Sequence, residues 1–276
     1  MGTLYVIATP IGNLGDLSPR AGQVLRTVGL IAAEDTRVTR KLLNHLGAGT
    51  PCISYHAHSR PGQARRVLAA LDDGDVALVS DAGSPTVSDP GAGLVAEAAA
   101  RGHSVVAVPG PSAVTAALSV SGLPADRFLF LGFLPRRSAD RRALLQSVST
   151  EPGTLVCFET PRRALAALRD IHEALGDRQM AVCRELSKLH EEVFRGTPAE
   201  AWEHFSSGQP PRGEFVLVIT GGVPAPEGAT DDEIRGRLAE LAATGLAGRR
   251  LVDAAVVATG AARSRVYRLS LSGDGG

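Results

Sequence analysis

Residues 76–100 read Val-Ala-Leu-Val-Ser-Asp-Ala-Gly-Ser-Pro-Thr-Val-Ser-Asp-Pro-Gly-Ala-Gly-Leu-Val-Ala-Glu-Ala-Ala-Ala. Residues 76–80 are a short apolar run of the kind that forms a strand buried on both faces. Residues 81–90 are rich in Asp, Ser, Gly and Pro, whose side chains and backbone preferences favour turns. Residues 91–100 are alanine-rich with helical spacing. A strand, a polar loop at its carboxyl end and a covering helix make one α/β unit, and that end of an open parallel sheet is where ligands bind.

The same alternation extends in both directions. Residues 4–8, 30–33 and 105–108 predict further strands, and 39–46 and 62–71 predict helices. Another helix starts near Ser18, with Pro19 in its first turn, where a missing N–H costs nothing. After Pro109-Gly110-Pro111 the pattern changes. Strands at 128–131, 154–158, 180–184 and 214–220 alternate with helices at 141–148, 163–175 and 198–205. The expected fold is therefore α/β, with an N-terminal domain at 1–110 and a second, more mixed α/β domain at 111–223. A Gly/Pro/Ala-rich stretch, 221–229, reads as a linker.

The tail, 230–276, predicts a small helical module. Helices at 231–243 and 251–259 flank a turn at 245–248, and a basic segment, 262–268, follows. Arg235, Arg237, Arg249, Arg250, Arg263, Arg265 and Arg268 outnumber Glu240, Asp253 and Asp274 beyond Ile234. Two readings stand side by side: a nucleic-acid module, or a solvated helical hairpin capping the core.

The 276 residues carry 29 Lys+Arg and 29 Asp+Glu, so zero net charge gives no overall hint of a polyanionic partner. A nucleic-acid enzyme would have to concentrate its basic residues locally. Cys52, Cys157 and Cys183 form neither a disulfide framework nor a metal pattern, and a reducing, cytoplasmic setting is expected. Cys52, His56 and His58 lack the partner cluster a metal site needs, so no metal is expected. No apolar run is long enough for a bilayer, and no signal segment is expected.

Three loops could hold a ligand. Residues 8–16, Ala-Thr-Pro-Ile-Gly-Asn-Leu-Gly-Asp, follow the first strand, where Pro10 and Gly12 allow close backbone approach. In the second loop Asp81 and Asp89 can accept hydrogen bonds from a ligand, while Asp89-Pro90 also reads as a helix N-cap. The third loop, Val108-Pro-Gly-Pro-Ser-Ala113, puts Ser112 at the head of the next helix. Gly91-Ala-Gly-Leu-Val-Ala96 fits a relaxed dinucleotide fingerprint but lies inside a helix, away from any strand end. Three strand ends carry mixed charges: Glu34-Asp-Thr-Arg37, Glu159-Thr-Pro-Arg-Arg163 and Arg184-Glu-Leu-Ser-Lys188. They read either as one ionisable cleft or as surface ion pairs.

Together these loops resemble the tetrapyrrole-methylase superfamily, and specifically its ribosomal RNA branch. The resemblance is carried by residues 8–14, 33–37, 79–85, 108–113 and 184–188, with Phe130-Leu-Gly-Phe-Leu-Pro-Arg136 and Arg212-Gly-Glu-Phe215 in support. Porphyrin-modifying relatives carry Gly-Pro-Gly in the first loop and Gly-Asp-Pro in the second. Pro10-Ile11-Gly12 and Gly83-Ser84-Pro85 stand here instead, which favours the ribosomal branch and leaves Asp81 to replace the missing aspartate. The resemblance implies two α/β domains with S-adenosylmethionine between them, and a homodimer. It implies cofactor contacts at Pro10, Gly12, Asp81, Gly83, Ser84, Val87, Ser112, Ala113, Phe158 and Phe215. The implied reaction is methyl transfer to the ribose 2′-oxygen of a cytidine in the decoding region of 16S ribosomal RNA, on the small ribosomal subunit. A catalytic cluster of Asp35, Arg37, Arg184 and Lys188 is expected, with Glu34, Asp35 or Glu185 as base and Lys188 or Arg37 as the stabilising cation. A tetrapyrrole methyltransferase and a non-catalytic ribosome-binding protein remain as rival readings.

Overall fold

The computed structural model describes residues 2–56, 61–208, 210–222, 229–261 and 263–271. His58 and most of the linker expected at 221–229 lie outside the described residues.

The first sheet contains β1 (Thr3–Ile7), β2 (Leu30–Ala33), β3 (Cys52–Ser54), β4 (Val76–Val79) and β5 (Ser104–Val108). Their order is β3-β2-β4-β1-β5, and every pairing is parallel. All four residues of β4 are buried, because the sheet is covered on both faces. Ala77 and Val79 pack with Leu25 of α1 (Pro19–Thr27) and with Leu42 and Leu43 of α2 (Thr36–Leu46). Val76 and Leu78 turn the other way, toward Val67 and Leu68 of α3 (Pro61–Asp73) and Leu94 and Ala98 of α4 (Ala92–Ala100). The two-residue period of a strand thus feeds two separate cores, each fully buried Val or Leu contributing about 1.5–3 kcal/mol.

Helix starts place the site loops. The Ser18 hydroxyl caps α1 by accepting from Ala21 N, with Pro19 in the first turn as expected. Helix α2 begins at Thr36, three residues before the apolar period does, because Asp35 supplies the N-cap. The expectation that Asp89 caps α4 is corrected: Gly91 occupies that position with φ +131° and no side-chain bond. A Cβ at Gly91 would lie 2.8 Å from Leu78 Cδ2. The chain passes β4 too closely for a side chain, so the helix starts later, and Asp89 is free to bond Ser80 instead.

The second half contains α5 (Ala113–Ser121), β6 (Phe128–Phe133), α6 (Ser138–Ser147), β7 (Thr154–Glu159), α7 (Pro161–Leu175), β8 (Met180–Arg184), β9 (Glu192–Gly196), α8 (Pro198–Ser206) and β10 (Phe215–Ile219). Its sheet runs β6-β7-β10-β8-β9, with β6 parallel to β7 and the remaining pairs antiparallel. This is the mixed sheet expected for the C-terminal half. Val114, Ala117 and Leu118 of α5 cover Val156, Ala181, Cys183, Val216 and Val218, and Ile11 from the first loop enters the same core. One element of the N-terminal half is thereby anchored in the C-terminal sheet.

Both sheets belong to one compact unit, Met1–Gln146 with Gly153–Thr220. A second unit takes Ser147–Pro152 together with the tail. In it α9 (Asp231–Ala243), α10 (Gly248–Thr259) and α11 (Arg263–Leu271) enclose their own core of Ile234, Leu238, Val252, Ala255, Ala261, Val266 and Leu269. The basic segment after α10 is thus a third helix rather than an appendix to a hairpin. Thr230 and Glu233 form a reciprocal capping box at the start of α9.

Candidate functional site

Loops at the carboxyl ends of β1 and β4 are stitched together. Thr9 and Gly83 exchange backbone hydrogen bonds of 2.9 and 3.0 Å, and the Thr9 hydroxyl donates to Ser80 O. Behind this bridge the β4–α4 loop is strained: Thr86 and Ser88 hold φ of +73° and +62°, a conformation that costs side-chain-bearing residues about 1–3 kcal/mol and clusters at functional sites.

A cavity of about 420 Å³ opens where these loops face the second sheet. Its N-terminal wall is Glu34, Asp81–Ser84 and Val87–Asp89; its far wall is Phe133, Phe158–Pro161 and Glu214–Val216; Ile11 and the Ser112–Val114 head of α5 complete it. The volume lies within the range of small-molecule sites, about 300–1,000 Å³, and the mixture of apolar surface with a few converging polar groups is typical of them.

The polar groups of the near wall are acidic and interlocked. Asp35 N donates to Asp81 Oδ1 at 2.9 Å, and Asp81 N donates to Glu34 Oε2 at 3.3 Å. Withdrawal from water raises the pKa of Glu34, and the neighbouring carboxylates of Asp89 and Asp81 raise it further. Asp81 and Asp89 are likewise raised, first by burial. On the far wall Glu159 is closed off by Arg163 (2.7 Å) and Thr160 N (2.6 Å), while its buried Oε2 has no hydrogen-bond partner among the described residues.

A second depression of about 360 Å³ shares Ile11, Asp81, Ala82 and Glu214 with the first. Lys188 lies across its floor: a Cβ on Gly12 would stand only 2.4 Å from Lys188 Cγ. The ammonium is held by Glu185 (2.8 Å) and Glu214 (3.1 Å). Partial burial opposes its charge, but these two carboxylates outweigh that and raise its pKa. Ser187 bonds Asp16 of the first loop, so the turn after β8 straps the two halves together.

Of the expected cofactor contacts, Asp81, Gly83, Ser84, Val87, Ser112, Ala113, Phe158 and Phe215 line the larger cavity, and Pro10 and Gly12 line its neighbour. Of the expected catalytic cluster, the structure pairs Asp35 with Arg37 and sets Arg184 against Glu192. Lys188 lines the smaller depression, but Asp35, Arg37 and Arg184 line neither. Asp35 caps α2 and holds the Arg37 guanidinium at 2.5 Å, and these bonds lower its pKa to about 2. Arg37 is otherwise in solvent, 88% exposed. Arg184 pairs with Glu192 of β9 at 2.7 Å. Asp89 and Glu159, named above as candidate polar groups, stand on the cavity wall, and so do Phe133 and Glu214, which sequence reasoning did not assign to the site. Phe133 and Glu214 stood inside supporting motifs, and the signal available was Gly132 and Gly213 beside them. Among the described residues no group of three His, Cys, Asp or Glu side chains could hold a metal ion, and no helix is long and apolar enough to cross a membrane.

Residues 3–201 match the Tetrapyrrole (Corrin/Porphyrin) Methylases family. The chain is 47% identical over 274 residues to ribosomal RNA small subunit methyltransferase I of Synechocystis sp., covering 98% of each. It is 47% identical to the protein of the same name from Thermotoga maritima, where 222 residues make up 80% of this chain and 99% of that one. Among solved structures, uroporphyrin-III C-methyltransferase from Thermus thermophilus, complexed with S-adenosylhomocysteine, shares the fold at a TM-score of 0.55 and 20% identity, covering 80% of this chain and 97% of that one.

Proposed function

We propose that this chain, which belongs to the tetrapyrrole methylase family and to its ribosomal RNA small subunit methyltransferase I branch, methylates the ribose 2′-oxygen of a cytidine in 16S ribosomal RNA, cytidine 1402 of the decoding region. The cofactor is S-adenosylmethionine. The observation that carries the reading is the cavity at the strand ends, with the carboxylates of Glu34, Asp81 and Asp89 on one wall and, on the other, aromatic rings beside Glu159 and Glu214. That donor set fits the cofactor: the acidic wall suits a cationic sulfonium and ammonium, the Phe158 and Phe215 rings suit an adenine face, and the orphaned Glu159 Oε2 calls for a hydrogen-bond donor.

Bound there, S-adenosylmethionine supplies an electrophilic methyl group. The chain must align the 2′-oxygen with it and remove the hydroxyl proton. Glu34 suits the second task. It lines the cavity, its carboxylate is fixed through Asp81 N, and its raised pKa makes it a stronger base than an exposed carboxylate. Asp35, held at about 2, is a weaker one. Lys188 and Lys41 line the adjoining depression and give cations for the flanking phosphates. We assign residues 1–110 and 111–223 to the two α/β domains that contribute the cavity walls, and 230–276 to a helical module. The family kinship supports a homodimer, and the ribosomal substrate a cytoplasmic setting.

The test is transfer of labelled methyl from S-adenosylmethionine to isolated small subunits, followed by nucleoside analysis. Recovery of 2′-O-methylcytidine is expected; label on a porphyrin instead, or on no RNA, would reject the reading.

The tail adds a narrower expectation. Arg235, Arg237, Arg249, Arg263 and Arg265 are tied to Asp232, Glu240, Asp253, Asp253 and Asp231. Arg250 and Arg268 are exposed and have no carboxylate partner among the described residues. An RNA-contacting module would use these two first. The double variant Arg250→Gln/Arg268→Gln should then lower the slope of log affinity against log salt by about 1.5, at about 0.7–0.9 per phosphate. An unchanged slope in filter binding to small subunits would leave the tail as a structural module.

A further inference from the structure

The chemistry above leaves one aromatic ring of the cavity without a task, and we infer that Phe133 is the stacking platform for the target base, turned out of the RNA so that its ribose reaches the transferred methyl. The inference rests on the RNA-directed reading of the same site.

The starting point is a register shift. Phe130 pairs with Val156 and Phe133 with Phe158, so β6 spends three steps where β7 spends two. In an unbroken strand residues 130 and 133 would point to opposite faces. The extra residue is a bulge, a device that re-aims a side chain. Both rings consequently pack edge-on against the same Phe158, with centroid separations of 4.9 and 5.4 Å. Gly132 makes the bend at φ +66°, and a Cβ there would lie 3.1 Å from Ser88 Oγ, so the opposing loop closes up to the bulge.

The bulge delivers Phe133 to the cavity and leaves it 54% exposed. Val87, on the opposite wall, is also exposed, at 43%. Two open apolar groups facing one ligand cavity suit a flat apolar partner between them. The ring is held in advance: Leu134 N donates to Phe158 O, Arg163 donates to Leu134 O, and Arg141 donates to Pro135 O. Arg141 is itself buried against Asp170.

Enzymes that act on a base extrude its nucleotide from the stack into their cavity, and a ribose that must reach the walled cavity of this protein is delivered in the same way. Once extruded the base loses its stacking partners, and an aromatic face replaces them. Any base presents such a face, so Phe133 positions the nucleotide and does not by itself choose cytosine.

The test compares full-length Phe133→Leu, which keeps apolar bulk without a π-face, and Phe133→Tyr, which keeps the ring. Methyl transfer to small subunits, calorimetric affinity for S-adenosylmethionine and sedimentation are measured on each. Leu should lower kcat/KM about five- to hundred-fold and Tyr by no more than about twofold, with cofactor affinity and association state unchanged. Should the Leu protein not fold, Phe133→Met serves the same comparison. Normal kcat/KM in the Leu variant overturns the inference. A loss of cofactor affinity overturns it too, by placing the ring on the cofactor, as does a changed association state, by placing it in a protein interface. If the unsubstituted protein binds S-adenosylmethionine yet methylates no small subunit, the functional reading itself fails, and this subsite with it.

Discussion

Glu34→Gln is expected to slow single-turnover methyl transfer by about 10²–10⁴-fold, the usual contribution of a positioned base, while S-adenosylmethionine still binds. The amide oxygen can still accept from Asp81 N, so the loop geometry survives. The pH dependence has a definite sign. The base acts when ionised, so transfer should fall as pH drops through the Glu34 pKa, and that fall should begin above the ordinary glutamate range because burial and the adjacent carboxylates raise it. Stability moves the other way. A carboxyl whose folded pKa is raised contributes stability below its unfolded pKa and loses it as pH rises through the folded one. Glu34→Gln should therefore melt at the same or a higher temperature at neutral pH, a result a purely structural glutamate would not give. Asp35→Asn is the control: it loosens the Arg37 pair and leaves the transfer rate near normal. Rapid transfer by the Glu34 variant, or its collapse in the Asp35 variant, would move the base elsewhere.

Gly83→Leu should abolish measurable cofactor binding, a loss beyond about 100-fold, since a pocket buries about 70–90% of its ligand's surface and a leucine projecting into it takes the place of part of the ligand. Gly83 sits on the cavity wall at φ +75°. A Cβ there would meet Ile11 Cγ2 at 3.6 Å and Pro111 O at 3.9 Å, ordinary contacts, so the first carbon fits and the rest of the leucine projects beyond it. The backbone conformation adds a strain of about 1–3 kcal/mol, visible as a modest drop in melting temperature. A folded variant that binds S-adenosylmethionine normally in a calorimeter would remove the β4–α4 loop from the cofactor site.

What could be read from residues alone follows from how local each cause is. Strand β4, its loop and helix α4 were legible because burial on both faces, turn chemistry and alanine-rich helix each leave a mark within a few residues. Asp89 was misassigned because Asp-Pro carries the signature of a helix start, whereas the true start is set by the closeness of Gly91 to Leu78, a contact between elements. Strand β3 is three residues long and β9 is only partly buried, with Glu192 and Arg195 in it, so neither has a period to detect. The loops that line the cavity could be picked out because glycines and prolines advertise them. The placement of the charged strand ends could not, since charge there does not say which way it turns: Asp35 folds back onto its own helix, and Arg184 onto the neighbouring strand. Phe133 was hidden by the same rule that makes strands legible, because its bulge breaks the alternation.

The crossing of Lys188 over Gly12 carries a consequence for how this protein can drift. The two positions lie on opposite halves of the fold and 176 residues apart, yet they occupy one volume: any side chain at 12 collides with the stem of the lysine, 2.4 Å from Cγ and 2.7 Å from Cε. Neither can therefore be sampled independently. Gly12→Ala alone should loosen the strap between the halves, whereas after Lys188→Ala the lysine stem is gone and only the backbone conformation at 12, φ +159°, opposes the change. Sterically the substitutions have an order: 188 must shorten before 12 can grow, and because that first step gives up a cation of the adjoining depression, both routes are costly and the pair is held in place.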